Sequence, residues 1–67
     1  MRYNKRFLRR VMTERDLTGD ALARKSGITR QTIHAIARGA EPKASTLGKL
    51  AAALSVDVDD FFIRRIA

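Results

Sequence analysis

Apolar residues recur at helical spacing in five short stretches, separated by turn-forming clusters at Asp16–Thr18, Ser26–Thr29, Gly39–Pro42 and Ser55–Asp57. The clearest stretch is Ala44–Leu54, where Leu47, Leu50, Ala51 and Leu54 fall at i, i+3, i+4 and i+7. That spacing predicts an amphipathic helix, and Pro42 keeps it from beginning earlier. A first helix is predicted over about Asn4–Arg15, with Phe7, Leu8 and Val11 forming the apolar stripe and Asn4 as N-cap. A second runs over about Gly19–Lys25, capped by Thr18, with Asp20 in the first turn and Leu22 and Ala23 turned inward. A third runs over about Arg30–Arg38, capped by Thr29, seated on Ile33 and Ile36 and ended by Gly39. A fifth is expected over about Val58–Arg65. Asp57 would be its cap, Asp59 and Asp60 lie in its first turn, Arg64 and Arg65 in its last, and Phe61 and Phe62 supply bulk. No stretch shows the strict period-two alternation of a half-buried strand.

With 67 residues, the chain is read as a single domain, 1–67, near the lower limit for folding alone. It has no room for a deep catalytic cleft beside a core. One histidine, no cysteine and no facing pair of carboxylates argue against an enzyme, a thiolate metal site or a cofactor. The acidic run Asp57, Asp59, Asp60 is explained by a helix start rather than by calcium. No apolar run approaches membrane-spanning length, and the basic N-terminus lacks the apolar core of a signal peptide. A cytoplasmic location is expected.

The net charge of +7 is unevenly placed. Residues 1–43 hold eleven cations against four anions, whereas residues 44–67 balance three against three. A field concentrated in this way favours a polyanion as partner.

The second and third stretches form one mechanical unit, about residues 18–38. Ala23 is small where two helices cross, Gly27 permits the sharp turn, and Ile33 and Ile36 anchor the third helix so that its opposite face protrudes. A protruding helix fits a DNA major groove about 12 Å wide. The stretch LTGDALARKSGITRQTIHAIARG (17–39) resembles the phage-repressor and Cro-type helix-turn-helix family. The tail PKASTLGKLAAALSVDVDDFF (42–62) is similar to that family's fourth helix and the start of its fifth.

The resemblance implies an all-α fold: a compact five-helix, lambda-repressor-like DNA-binding domain. It also implies sequence-specific binding of double-stranded DNA by a transcriptional regulator, expected to be a repressor, with the helix from Thr29 as the recognition helix. Arg30 and Gln31 fall where the family reads bases, and Ala35 faces the same way. Arginine commonly reads guanine, glutamine reads adenine, and alanine meets a thymine methyl. The alternative for Arg30 is a solvated surface charge or a phosphate clamp. Thr18, Gly19, Thr29, Thr32, His34, Arg38 and Lys43 are candidates for phosphate or flanking contacts, with Thr29 also a cap, Thr32 otherwise a plain solvated residue and His34 at the edge of the groove-facing surface. The basic cluster Arg2, Lys5, Arg6, Arg9 and Arg10 is either a solvated face or a reach to flanking backbone.

Two departures from the family stand out. It often has glutamine where Gly19 stands, and an Arg–Glu ion pair where Met12 and Ala37 stand. Losing both partners together leaves the fold reading intact. Phe62, Ile63 and Ile66 form a candidate dimer interface. The expected assembly is a homodimer, at least on DNA, reading a pseudo-palindromic operator with recognition helices about 34 Å apart. The competing reading is an antitoxin-like or co-regulator module that binds a protein partner. No small-molecule ligand or membrane partner is implied.

Overall fold

Three helices begin on a side-chain cap. The Asn4 side chain accepts from the Arg6 N–H (3.1 Å), Thr18 from Ala21 (3.1 Å) and Thr29 from Thr32 (3.2 Å). Each bond occupies one of the N–H groups that a helix start leaves free. The computed structural model describes residues 2–63. In chain order the elements are β1 (Arg2–Tyr3), α1 (Lys5–Glu14), α2 (Gly19–Ser26), α3 (Arg30–Ala37), α4 (Ala44–Leu54), a 3-10 turn (Val58–Phe61) and β2 (Phe62–Ile63).

The joint between α2 and α3 is stitched locally. Gly27 takes the left-handed conformation (φ 76°) and returns its N–H to the Ala23 carbonyl (2.9 Å). Ser26 Oγ donates to the Leu22 carbonyl (2.7 Å) and accepts from the Ile28 N–H (3.2 Å), spanning the turn. The core gathers Leu8 and Val11 from α1, Leu22 from α2, Ile33 and Ile36 from α3, and the inner face of α4 around Phe61. Met12 and Ala37, the positions of the missing ion pair, are half-buried and pack on this core. No helix of the described residues is long and apolar enough to cross a membrane.

The expected fifth helix is not there. The chain makes one 3-10 turn and then becomes extended at Phe62 (φ −117°, ψ 143°). Among the described residues the fold is therefore four α-helices with a small antiparallel ribbon, in which Arg2 faces Ile63 and Tyr3 faces Phe62. Two demands compete at this point. The charges at the turn favour a helix, but Phe61 must enter the core, where it meets Phe7 edge-on (ring centroids 5.1 Å, 87°). Extending the backbone after it also satisfies the N-terminal segment, beginning with Asn4 N–H to the Phe61 carbonyl at 2.7 Å. Arg64, Arg65 and Ile66 lie outside the described residues.

The ribbon turns Tyr3 inward. Its hydroxyl donates to the Ile36 carbonyl (2.9 Å), which also accepts from Gly39 N–H (3.1 Å). Burial pushes the phenol up to about 12. The ionised form is thus disfavoured in the fold, and this group's stabilisation is intact below about pH 10 and lost as the pH rises through about 12. Tyr3→Phe is expected to cost about 1 kcal/mol in urea unfolding at neutral pH. The gap between wild type and variant should then shrink between about pH 10 and 12. A gap that does not vary over that range contradicts the buried-phenol account.

Candidate nucleic-acid interface

A helix advances about 100° per residue, so Arg30, Gln31, His34, Ala35 and Arg38 share an arc of about 140°. All five are exposed. Directly opposite, Ile33 and Ile36 are 1% and 2% exposed. The flanking positions Thr32 and Ala37 are half-buried. The arc carries Arg30 within α3 and Arg38 at its C-cap, and neither the arc nor the rest of α3 holds an acid.

The two threonines at the start of α3 are engaged with each other. The Thr29 hydroxyl accepts from the Thr32 N–H and donates to the Thr32 hydroxyl at 2.9 Å. Thr18 likewise uses its oxygen on Ala21, and both cap residues remain exposed. Arg30 is less free than its sequence position implied. Its Nη1 lies 3.4 Å from Asp20 Oδ1, with the side chains 66% and 58% exposed. A pair this wet is worth at most about 1 kcal/mol, so a ligand can open it at little cost. Ten residues and a turn separate the partners, so helical spacing gave no signal of the contact.

At Gly19, the start of α2, a side chain would crowd the His34 ring. A Cβ built there would lie 3.1 Å from His34 Nε2 and 3.3 Å from His34 Cδ2. The imidazole of α3 thus rests against the first turn of α2 and takes the space that a longer residue at 19 would need. His34, assigned from sequence to the edge of the face, is also part of the α2–α3 joint. The N-terminal end of α2, with Thr18, Gly19 and Asp20, is thereby brought beside Arg30 and His34.

At the other end of α3, Arg38 is the C-cap, and Gly39 follows at φ 118°. Lys5 Nζ donates to the Arg38 carbonyl at 3.3 Å. The loop then passes over buried Pro42 to Lys43, which is exposed and stands at the start of α4 without a side-chain cap bond. Phe62 is half-buried against the core, Ile63 is 49% exposed, and Ile66 lies outside the described residues. Among the described residues, no group of three or more His, Cys, Asp or Glu is placed to hold a metal ion.

A model of the helix-turn-helix family matches residues 8–61, most of the chain. The chain belongs to this family, in its phage-repressor and Cro-type form, and so to the DNA-binding transcription regulators. No curated protein and no solved structure matches it.

The packing of Gly19 against His34 has a measurable consequence. Gly19→Ala should displace the imidazole by a few tenths of an ångström, and His34→Ala should remove the crowding. In a double-mutant cycle read by urea unfolding, the two changes are expected to couple by at least about 0.5 kcal/mol, as residues in contact do. Strict additivity contradicts the close approach.

Proposed function

We propose that this member of the phage-repressor and Cro-type family represses transcription by occupying a specific double-stranded DNA site, with α3 lying in the major groove. The observation that carries this reading is the exposed, acid-free arc of α3, held outward by Ile33 and Ile36. A groove lined by phosphates attracts such a face, and base edges then sort sequences by hydrogen bonding.

Arg30 leaves Asp20 and reads a guanine through O6 and N7. Gln31 reads a neighbouring base, with adenine the best match, and Ala35 meets a thymine methyl. Thr18, Thr29 and Thr32, the Gly19 N–H, His34, Arg38 and Lys43 set the register on the phosphates. Two copies bind a pseudo-palindrome and meet through the segment containing Phe62 and Ile63. The DNA aligns them, so the protein contact need not be large. The partner-module reading has less support, because Val58 and Ile63 are the only large exposed apolar side chains among the described residues.

Selection from a random duplex pool is expected to return a site with a fixed guanine in each half. Arg30→Ala should relax that position by about 1–3 kcal/mol of discrimination while leaving the other positions fixed. Arg38→Ala should instead weaken all sequences alike and lower the salt slope by about 1. No guanine preference, or unchanged specificity in Arg30→Ala, contradicts the assignment.

A further inference from the structure

Cations gather a second time, beside the C-terminal end of α3. The N-terminal ribbon, the first turn of α1 and the loop after α3 enclose an open cleft of about 880 Å³. Arg2, Lys5, Arg6 and Arg38 line it, and Glu41 is the single acid in its wall. Lys5 is held in place there. Its ammonium bonds the Arg38 carbonyl, and its stem passes over Gly39, where an added Cβ would sit 3.4 Å from Lys5 Cδ.

The Lys5 bond fastens the end of α3, but the charge pattern is unfavourable for the start of α1 itself. The first turn of a helix favours acids, yet the first turn of α1 has none and carries Lys5 and Arg6 instead. Arg2, on the exposed side of β1, adds a third positive charge to the same wall. Like charges at the positive pole of a helix repel one another until an anion arrives. Arg38 belongs both to this cleft and to the arc of α3, so the positive surface runs on from one to the other.

We propose that the cleft is a second backbone-binding station, which holds phosphodiester groups of the same duplex beyond the base pairs read by α3. The proposal rests on α3 being the groove-reading helix, and it assigns Arg2 and Arg6 a role in affinity without a role in base choice. Lys5 positions the station by tying α1 to the end of α3.

The test uses the full chain and two duplexes with the same selected site, one bare and one extended by about one helical turn (~10 bp) on each side. Wild type is expected to bind the extended duplex about tenfold more tightly, with a steeper salt dependence. The Arg2→Gln/Arg6→Gln variant should bind both duplexes equally, with a salt slope lower by about 1–2 and an unchanged ranking of base substitutions. Both arginines are exposed, and circular dichroism with the single variant Arg6→Gln guards against misfolding. Equal binding of both duplexes by wild type overturns the cleft assignment and leaves the α3 reading standing. A double variant that keeps the whole gain from flanking DNA does the same. Failure of wild type to bind either duplex at low salt overturns both.

Discussion

The seating of Ile33 and Ile36 in the core is the contact on which the rest depends. Those two side chains fix the rotation of α3 about its axis, and that rotation decides which residues face outward. Turned by one residue, or about 100°, the helix would bury Arg30 and His34 and expose isoleucine. Two aliphatic residues at 1% and 2% exposure therefore set the chemistry of a surface they never reach. Each contributes roughly 1.5–3 kcal/mol by burial. In a chain of 67 residues that is a large share of the few kilocalories by which small domains stay folded.

The far end of α3 is fastened from a distance. The Tyr3 hydroxyl bonds the Ile36 carbonyl and the Lys5 ammonium bonds the Arg38 carbonyl, each across 33 residues of sequence. Both donors come from the N-terminal segment, which is itself held by pairing with Phe62 and Ile63. The ribbon is only two residues long in each strand, but it places Tyr3 where it can close the last turn of α3. At the near end the same helix is held by the Thr29 cap, the Ser26 turn and the contact of His34 with the first turn of α2. A helix clamped at both ends presents its outward face with little left to order on binding.

Much of this was legible from the sequence, for a local reason. Caps, apolar spacing and the glycine turn act within one helical turn of chain, so the bounds of α1 to α4 fall within one residue of those expected. The outward placement of Arg30, Gln31, Ala35 and Arg38 followed from the same spacing, because buried isoleucines dictate the opposite arc. Contacts between elements were not legible. Nothing in the spacing joins Asp20 to Arg30, Gly19 to His34, or Tyr3 to Ile36. The fifth helix failed because helix-favouring charges around Val58–Asp60 were weighed without the N-terminal strand that claims the backbone after Phe61. The basic residues at the N-terminus could be counted but not gathered into a cleft, since the ribbon that brings them to Arg38 had no signature of its own.

The central claim is that the outward arc of α3 is the face that meets DNA. A titration of the isotope-labelled chain with its selected duplex, followed by amide NMR shifts, tests it most directly. Large shifts should cluster on Arg30, Gln31, His34, Ala35 and Arg38 and on the start of α2, while the outer face of α4 at Ser45, Lys49 and Ala52 stays still. Shifts centred on α4 or on Val58–Ile63, with the arc of α3 unmoved, would contradict the account.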